Sequence, residues 1–395
     1  MNIQIKNNTM EQLKRIKLPL LVIDGCVDPY SDAYVMNLYE KGYSFSTLET
    51  ALRQILLFYR YCNKHNINFY ERMTTLDGLD VSEIEAWYSY CKIRFNDKDP
   101  AQASTIKIRL QYSWDFIDHW FKFFRDRAKP DTEKFKFATV VMNTMETAFN
   151  LYRSSPGKGQ NKDIEGLSPE LRDKFFLIIY PWPENNLNPW KLSHIKWRNY
   201  VLLMLLILTG PRRGETLLLE TDDFSLDGPN PDFAIKHRER PPYPREKPPA
   251  IKTKGRSLGL SDKMASICEF YIVAVRPFFK NSDKSTFMFL SGKDGGPLCR
   301  STPNKIFEPL VKAYPEYKGK ISPHVLRHSF HEMLEERLIE VPQSDSPLVR
   351  QAINQGLHTL SGGWKPNSTM PHRYTLGERK RRTHNLQRQI QNDHL

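Results

Sequence analysis

The sequence predicts a mainly helical chain with a small β-sheet or hairpin, an α+β protein of two domains. Three observations lead there. Apolar residues recur with a helical period through much of the first third of the chain. One stretch, RSSPGKGQNKDIEG at 153–166, breaks that pattern with glycine, serine and charge. Beyond it, further helical segments flank a short segment at 251–260 that has the look of a hairpin strand. At 395 residues, 39% hydrophobic and 12% aromatic, the chain can fill two separate cores.

In order along the chain, residues 1–17 are polar and predicted to be loose. Residues 18–25 read as a short strand ending in a turn, so 1–24 forms an N-terminal arm or strand. A helical domain then spans 25–152. Between 46 and 62, Leu48, Ala51, Leu52, Ile55, Leu56 and Tyr59 share one face, with Ser46 and Glu49 at capping-box spacing. Residues 81–94 form a second candidate helix. In a third, Ile106, Leu110, Trp114, Ile117, Phe121 and Phe124 make another stripe, which reads as core. The outward faces carry Arg53, Arg60, Lys64, Lys107 and Arg109, which either track a phosphate backbone or form an ordinary solvated surface. Residues 153–166 are the linker, and 167–395 a second domain with a basic tail. Ser168 and Pro169 mark a helix start. Residues 197–208 read as a buried helix, 225–250 as an irregular insertion rich in proline and charge, and 261–279 as helix. From 300 onward helices alternate with short loops, and no internal repeat is found.

A net charge of +13 favours a polyanionic partner, although charge alone does not separate DNA from RNA or an anionic membrane. The cysteines Cys26, Cys62, Cys91, Cys268 and Cys299 have no CxxC spacing, which argues against a disulfide framework or zinc site and fits a reducing cytosol. The first residues hold no signal-peptide core. The apolar run at 200–208 is far shorter than the roughly 20 residues a bilayer requires. A cytoplasmic chain with no membrane partner is expected, nucleoid-associated if bacterial. There is no GxxxxGK[ST] loop and no obvious metal-ligand spacing, so no cofactor, ATP or two-metal chemistry is expected.

The residues that carry chemistry lie in the second domain. Thr209-Gly210-Pro211-Arg212-Arg213-Gly214-Glu215 closes the apolar run; His324-Val325-Leu326-Arg327-His328 follows, then Gly363-Trp364, then Met370-Pro371-His372-Arg373-Tyr374. An arginine fork donates two hydrogen bonds to phosphate oxygens and keeps its charge. His324 and Arg327, three apart, share a helix face while Leu326 faces the core. A phenol with a pKa near ~10 needs help to become a nucleophile. An indole N–H can donate to a phosphate but cannot move protons at neutral pH.

Taken in order, these boxes resemble the tyrosine recombinase (phage integrase) family over roughly residues 165–385. The resemblance implies a helical, SAM-like core-binding domain followed by a catalytic domain. It implies a catalytic set of Arg212, His324, Arg327, Trp364 and the nucleophile Tyr374, with Trp364 where the family usually has histidine and sometimes tryptophan. It also implies a hairpin lysine as general acid. In Ile251-Lys252-Thr253-Lys254-Gly255-Arg256, Lys252 matches the spacing better and Lys254 is the fallback. His358 is a rival to Trp364, but lies sixteen positions before Tyr374 against ten for Trp364. Glu215 is expected to buttress its turn and His328 to be structural. The chain departs from the family pattern at Pro211, Gly214 and Gly259, and by one extra residue before Tyr374. The implied reaction is site-specific recombination of double-stranded DNA through a 3′-phosphotyrosyl link, on a tetramer, with a directionality factor as a further partner and a mobile element as the setting. The alternatives are relaxation of the type IB topoisomerase kind, or a DNA-binding protein that kept the fold and lost catalysis. The run Arg379, Lys380, Arg381, Arg382 either grips DNA or docks on a neighbouring protomer.

Overall fold

The computed structural model describes residues 3–9, 17–93, 100–130, 132–154, 163–237, 249, 251, 253–340, 346–366 and 368–394. The chain divides into two units, Met1–Lys162 and Asp163–Leu395.

The first unit opens with an antiparallel sheet, β1 (Ile3–Thr9), β2 (Lys17–Ile23) and β3 (Cys26–Val27). Asp24 and Gly25 both have positive φ, 48° and 91°, which suits the two-residue turn between β2 and β3. The strand β1 departs from the expectation of a loose terminus. Its alternation of Ile3, Ile5 and Asn7 pairs in register with Ile23, Leu21 and Pro19, and too few apolar residues mark it locally.

Among the described residues six helices follow: α1 (Pro29–Glu40), α2 (Phe45–Lys64), α3 (Phe69–Thr75), α4 (Val81–Cys91), α5 (Ala103–Arg125) and α6 (Glu133–Ser154). The expected stripes are the core, with Leu48, Ala51, Leu52, Ile55, Leu110 and Ile117 fully buried. The cap of α2 is Ser44, which accepts the Thr47 N–H at 3.4 Å; Ser46 is already inside the first turn. Asp28 gathers three partners, the Ser31 N–H and the hydroxyls of Tyr59 and Tyr70, and so joins α1, α2 and α3.

Arg53, Arg60 and Lys107 are exposed, Arg53 with Glu49 at 2.8 Å. Arg109 does not belong with them. Its guanidinium donates to the carbonyls of Cys91 and Ile93 at 2.7 and 2.8 Å, satisfying the end of α4, which stops at Cys91 rather than running to 94.

In the second unit Ser168 caps α7 (Pro169–Ile179), with Pro169 in its first turn. Helix α8 (Ser193–Leu208) is apolar on nearly all sides and runs through the core; Val201, Leu202, Leu203, Leu205, Leu206 and Ile207 are sealed. After α9 (Arg213–Leu217) come β4 (Phe224–Ser225), β5 (Asp232–Ile235) and β6 (Arg256–Gly259), antiparallel in that order. The stretch 225–250 is therefore not wholly irregular. Phe233 and Ile235 alternate inward along β5, a signal masked by the proline and charge around it. Helix α10 (Asp262–Phe270) continues in a wide and then a tight turn to Phe278. The remaining helices among the described residues are α11 (Thr302–Lys305), α12 (Phe307–Ala313), α13 (Pro323–Glu340), α14 (Pro347–Gly362), α15 (Met370–Tyr374) and α16 (Leu376–His394). Helix α13 lies along α8 and also touches α14, α15 and α16, so residues from distant stretches converge on it.

Candidate active site

The site begins where α8 ends. Gly210 takes a positive φ of 65°, and a Cβ there would sit 2.2 Å from the Phe330 ring, so the turn requires glycine. The turn delivers Arg212 to the start of α9, extended, with its N–H on Glu215 Oε2 at 2.7 Å. The Glu215 side chain is completely buried. It also receives the Arg256 guanidinium at 2.8 Å, the Thr253 hydroxyl at 2.5 Å and the Arg212 guanidinium at 3.4 Å. Burial works against its charge, but the hydrogen bond and charge of Arg256, with the Thr253 and Arg212 bonds, hold its carboxyl below the usual range. Glu215 thus buttresses the turn and ties it to β6. Arg256 also donates from Nε to the Ser361 carbonyl at 2.8 Å. Arg213 points elsewhere, to Asn304.

Two guanidiniums meet on one backbone atom. Arg212 Nη1 and Arg327 Nη2 reach the Gly362 carbonyl at 3.1 and 3.0 Å, and Arg327 Nη1 donates to the Gly210 carbonyl. Arg327 is only 1% exposed, and its Nε has no partner among the described residues. Burial and then Arg212 pull its pKa down to about 10, so it remains charged at neutral pH. Arg212 keeps part of its side chain open to a cleft also lined by Thr253, Lys254, Trp364, Lys365 and Thr369. Lys254 is exposed on that cleft. Lys252 lies outside the described residues.

Tyr374 ends the short helix α15 and is 3% exposed. Its ring stacks on His328 at 4.1 Å and meets Trp364 at 5.1 Å, His331 at 5.1 Å and the edge of His324 at 5.5 Å. The Arg327 guanidinium carbon lies 5.1 Å from the ring centre. Trp364 is buried, and its indole N–H has no partner among the described residues. Between Trp364 and Tyr374 in the chain, Pro366 lies in a turn. His358 is not in this group: it pairs with Glu335 at 2.8 Å and with His331 at 3.2 Å.

The imidazoles here are held neutral. Desolvation, then Arg327, Arg212 and Arg373, lowers the His324 pKa. Burial, then His324 and two arginines, brings His328 to about 3. Burial and Arg327 carry His331 well below its ordinary value. Unfolded, these histidines take up protons near pH ~6.5. Because their folded values are depressed, the unfolded chain binds the protons first. The stability they leave intact above that pH is lost as pH falls below it, by about 1.4 kcal/mol per pH unit for each histidine affected. The unfolding midpoint should therefore drop steadily from pH 7 to pH 5, and His328→Asn should flatten that slope. A midpoint unchanged over the range would contradict the buried neutral cluster.

Residues 185–343 match the family model described as the phage integrase family. Those residues, fewer than half of the chain, are thus similar to the phage integrase family. A curated relative, the TnP I resolvase of Bacillus thuringiensis, is 28% identical over 170 residues, covering 43% of this chain and 50% of that protein. The chain thus spans about half the length of the curated relative it matches. Among solved structures, the integrase of the Tn1549 transposon in complex with transposon right end DNA aligns at a TM-score of 0.56 with 15% identity, over 90% of this chain and 99% of that one. The XerH site-specific recombinase bound to a palindromic difH substrate, a post-cleavage complex, aligns at 0.53 with 18% identity, over 84% and 76%. At those identities the likeness is one of fold.

Within the second unit the structure gathers Arg212, His324, Arg327, Trp364 and Tyr374, and lines the adjoining cleft with Lys254. Sequence reading assigned no place to Arg256, His331 or Glu335. Arg256 follows Lys252-Thr253 closely enough to have been marked; nothing local marks the other two. His328, expected to be structural, is face to face with the Tyr374 ring.

Proposed function

We propose that this chain cuts and rejoins double-stranded DNA by site-specific recombination, with Tyr374 as the nucleophile. The observation that carries the reading is the Tyr374 ring packed beside the Arg327 guanidinium, which itself shares the Gly362 carbonyl with Arg212. The phenolic oxygen attacks the phosphate, the bond to the 5′ oxygen breaks, and a 3′-phosphotyrosyl link forms. His324, uncharged at neutral pH, is the acceptor for the phenolic proton. Arg212 and Arg327 meet the charge that spreads over the non-bridging oxygens, and the unpaired Trp364 N–H is a donor awaiting an acceptor. The link conserves the energy of the broken bond, so a 5′-hydroxyl from another strand reseals it. Exchange between two duplexes takes four protomers, each cutting one strand. The names of the Tn1549 transposon integrase and of the TnP I resolvase support a mobile-element or resolution setting.

The test is a nicked duplex taken from the sequences flanking the gene, from which the cleaved end diffuses away. The expected result is a detergent-stable protein–DNA adduct whose peptide map places the link on Tyr374. An adduct on any other residue overturns the assignment.

The lysine can be tested separately. Lys254→Ala should slow cleavage of ordinary DNA by on the order of 10²-fold or more. A substrate with sulfur in place of the 5′ bridging oxygen should restore the rate, because a thiolate leaves without a proton. If Lys254→Ala is silent and Lys252→Ala shows this rescue, the general acid is Lys252.

A further inference from the structure

Three side chains without a part in the reaction above stand in a line. His331 lies on α13 one turn beyond Arg327 and is fully buried. Its Nδ1 is 3.2 Å from Nδ1 of His358 on α14, and His358 Nε2 is 2.8 Å from Glu335, one turn further along α13. Two imidazoles that meet through like nitrogens can bond only when one carries the proton and the other does not. Glu335 decides which. Its carboxylate accepts from His358 Nε2, so His358 Nδ1 is left as a lone pair. His331 then donates from Nδ1, and its Nε2 is bare; that nitrogen is buried without a partner among the described residues. The His331 ring stacks on Trp364 at 4.9 Å.

The line matters because of what its helices carry. Helix α13 holds His324 and Arg327. Helix α14 ends at Gly362, whose carbonyl receives both arginines, and Trp364 follows two residues later. We propose that Glu335, His358 and His331 form a tautomer-locked relay that sets α14 on α13, and with it the positions of Trp364 and the Gly362 carbonyl during strand cleavage. All three are positioning residues, and the proposal rests on the cleavage reading of the site. A second proton on His358 would go to Nδ1, set N–H against N–H and break the line; one on His331 would go to its bare Nε2 and leave that bond in place. His331 is faced by Arg327 and His328 on α13, Arg212 beside α9, His358 on α14 and Tyr374 on α15. Around His358 stand Glu335 and His331, with Arg350 on α14, His372 on α15 and Arg379 and Arg382 on α16. Burial, and then Arg327, keeps the second proton off His331.

The test has two arms on the full-length chain. Imidazole nitrogen shifts of histidine-labelled protein, assigned with single variants, should report His331 protonated at Nδ1 and His358 at Nε2 at pH 7; the reverse tautomers overturn the proposal. In the second arm, His358→Asn keeps an acceptor near the Nδ1 position, whereas His358→Gln reaches Glu335 and abandons His331. Single-turnover cleavage by the Asn variant should stay within about threefold of the parent, and the Gln variant should be slower by roughly 10- to 100-fold with DNA affinity unchanged. Equal rates for the Gln variant and the parent, or equal losses in both variants, refute the relay. If the parent forms no adduct at all, the cleavage reading fails while the tautomer measurement still decides the relay. That measurement also decides it if neither variant folds.

Discussion

Replacing Tyr374 with phenylalanine is expected to abolish covalent capture of DNA and leave the domain folded. The ring is what packs: it stacks on His328 and meets Trp364, His331 and the Arg327 guanidinium, and all of those contacts survive the loss of one oxygen. Arg327 keeps its bonds to the carbonyls of Gly210 and Gly362, so the change strands little polar surface. The reaction, in contrast, loses its nucleophile, and no other tyrosine ring contacts Tyr374 among the described residues. Removing a nucleophile from a preorganised site costs on the order of 10⁶-fold in rate. The measurement is the adduct on a nicked duplex beside the thermal midpoint of the free protein. An adduct that persists in the variant means that another group attacks; a collapsed midpoint means that the hydroxyl is structural.

Glu215→Ala should do the most damage to the fold and the site together. The carboxylate is completely buried and accepts from Arg256, Thr253 and both the N–H and the guanidinium of Arg212. Its removal leaves the nearly buried Arg256 without its counter-charge. Breaking a buried ion pair on one side costs about 3–5 kcal/mol. For a unit of this size that is a drop of roughly 10 °C in the midpoint. Cleavage should fall as well, since Arg212 loses the group that orients it. Glu215→Gln, which retains two hydrogen-bonding atoms without the charge, should fall between the two. A Glu215→Ala protein that melts within a degree of the parent would show that the carboxylate does not hold this corner.

The helices were legible because their evidence is local. The stripes on α2 and α5, the apolar run of α8 and the serine–proline start of α7 each lie within a few turns of chain, where period and caps can be read. The strands were less so. Neither β1 nor β5 has an apolar run long enough to stand out; each is a strand because a partner across the sheet completes its hydrogen bonds. Arg109 shows the same limit at a single residue. Its place on the outward side of α5 suggested a free cation, yet two carbonyls at the end of α4 take up its donors.

What the amino-acid order by itself determined is the chemistry on offer: two arginines in recognisable motifs, a histidine one helical turn from the second of them, a tryptophan and a late tyrosine. Each is a matter of residue type and short spacing. Only the tertiary structure decided that Arg212 and Arg327 share the Gly362 carbonyl, that Glu215 is gripped from β6, and that His331 reaches His358. Those bonds join residues remote in the chain, several of them through backbone oxygens that every residue possesses, so no residue type announces them. They exist because α13 lies against α8 and α14, and that packing depends on the whole buried core rather than on any one segment.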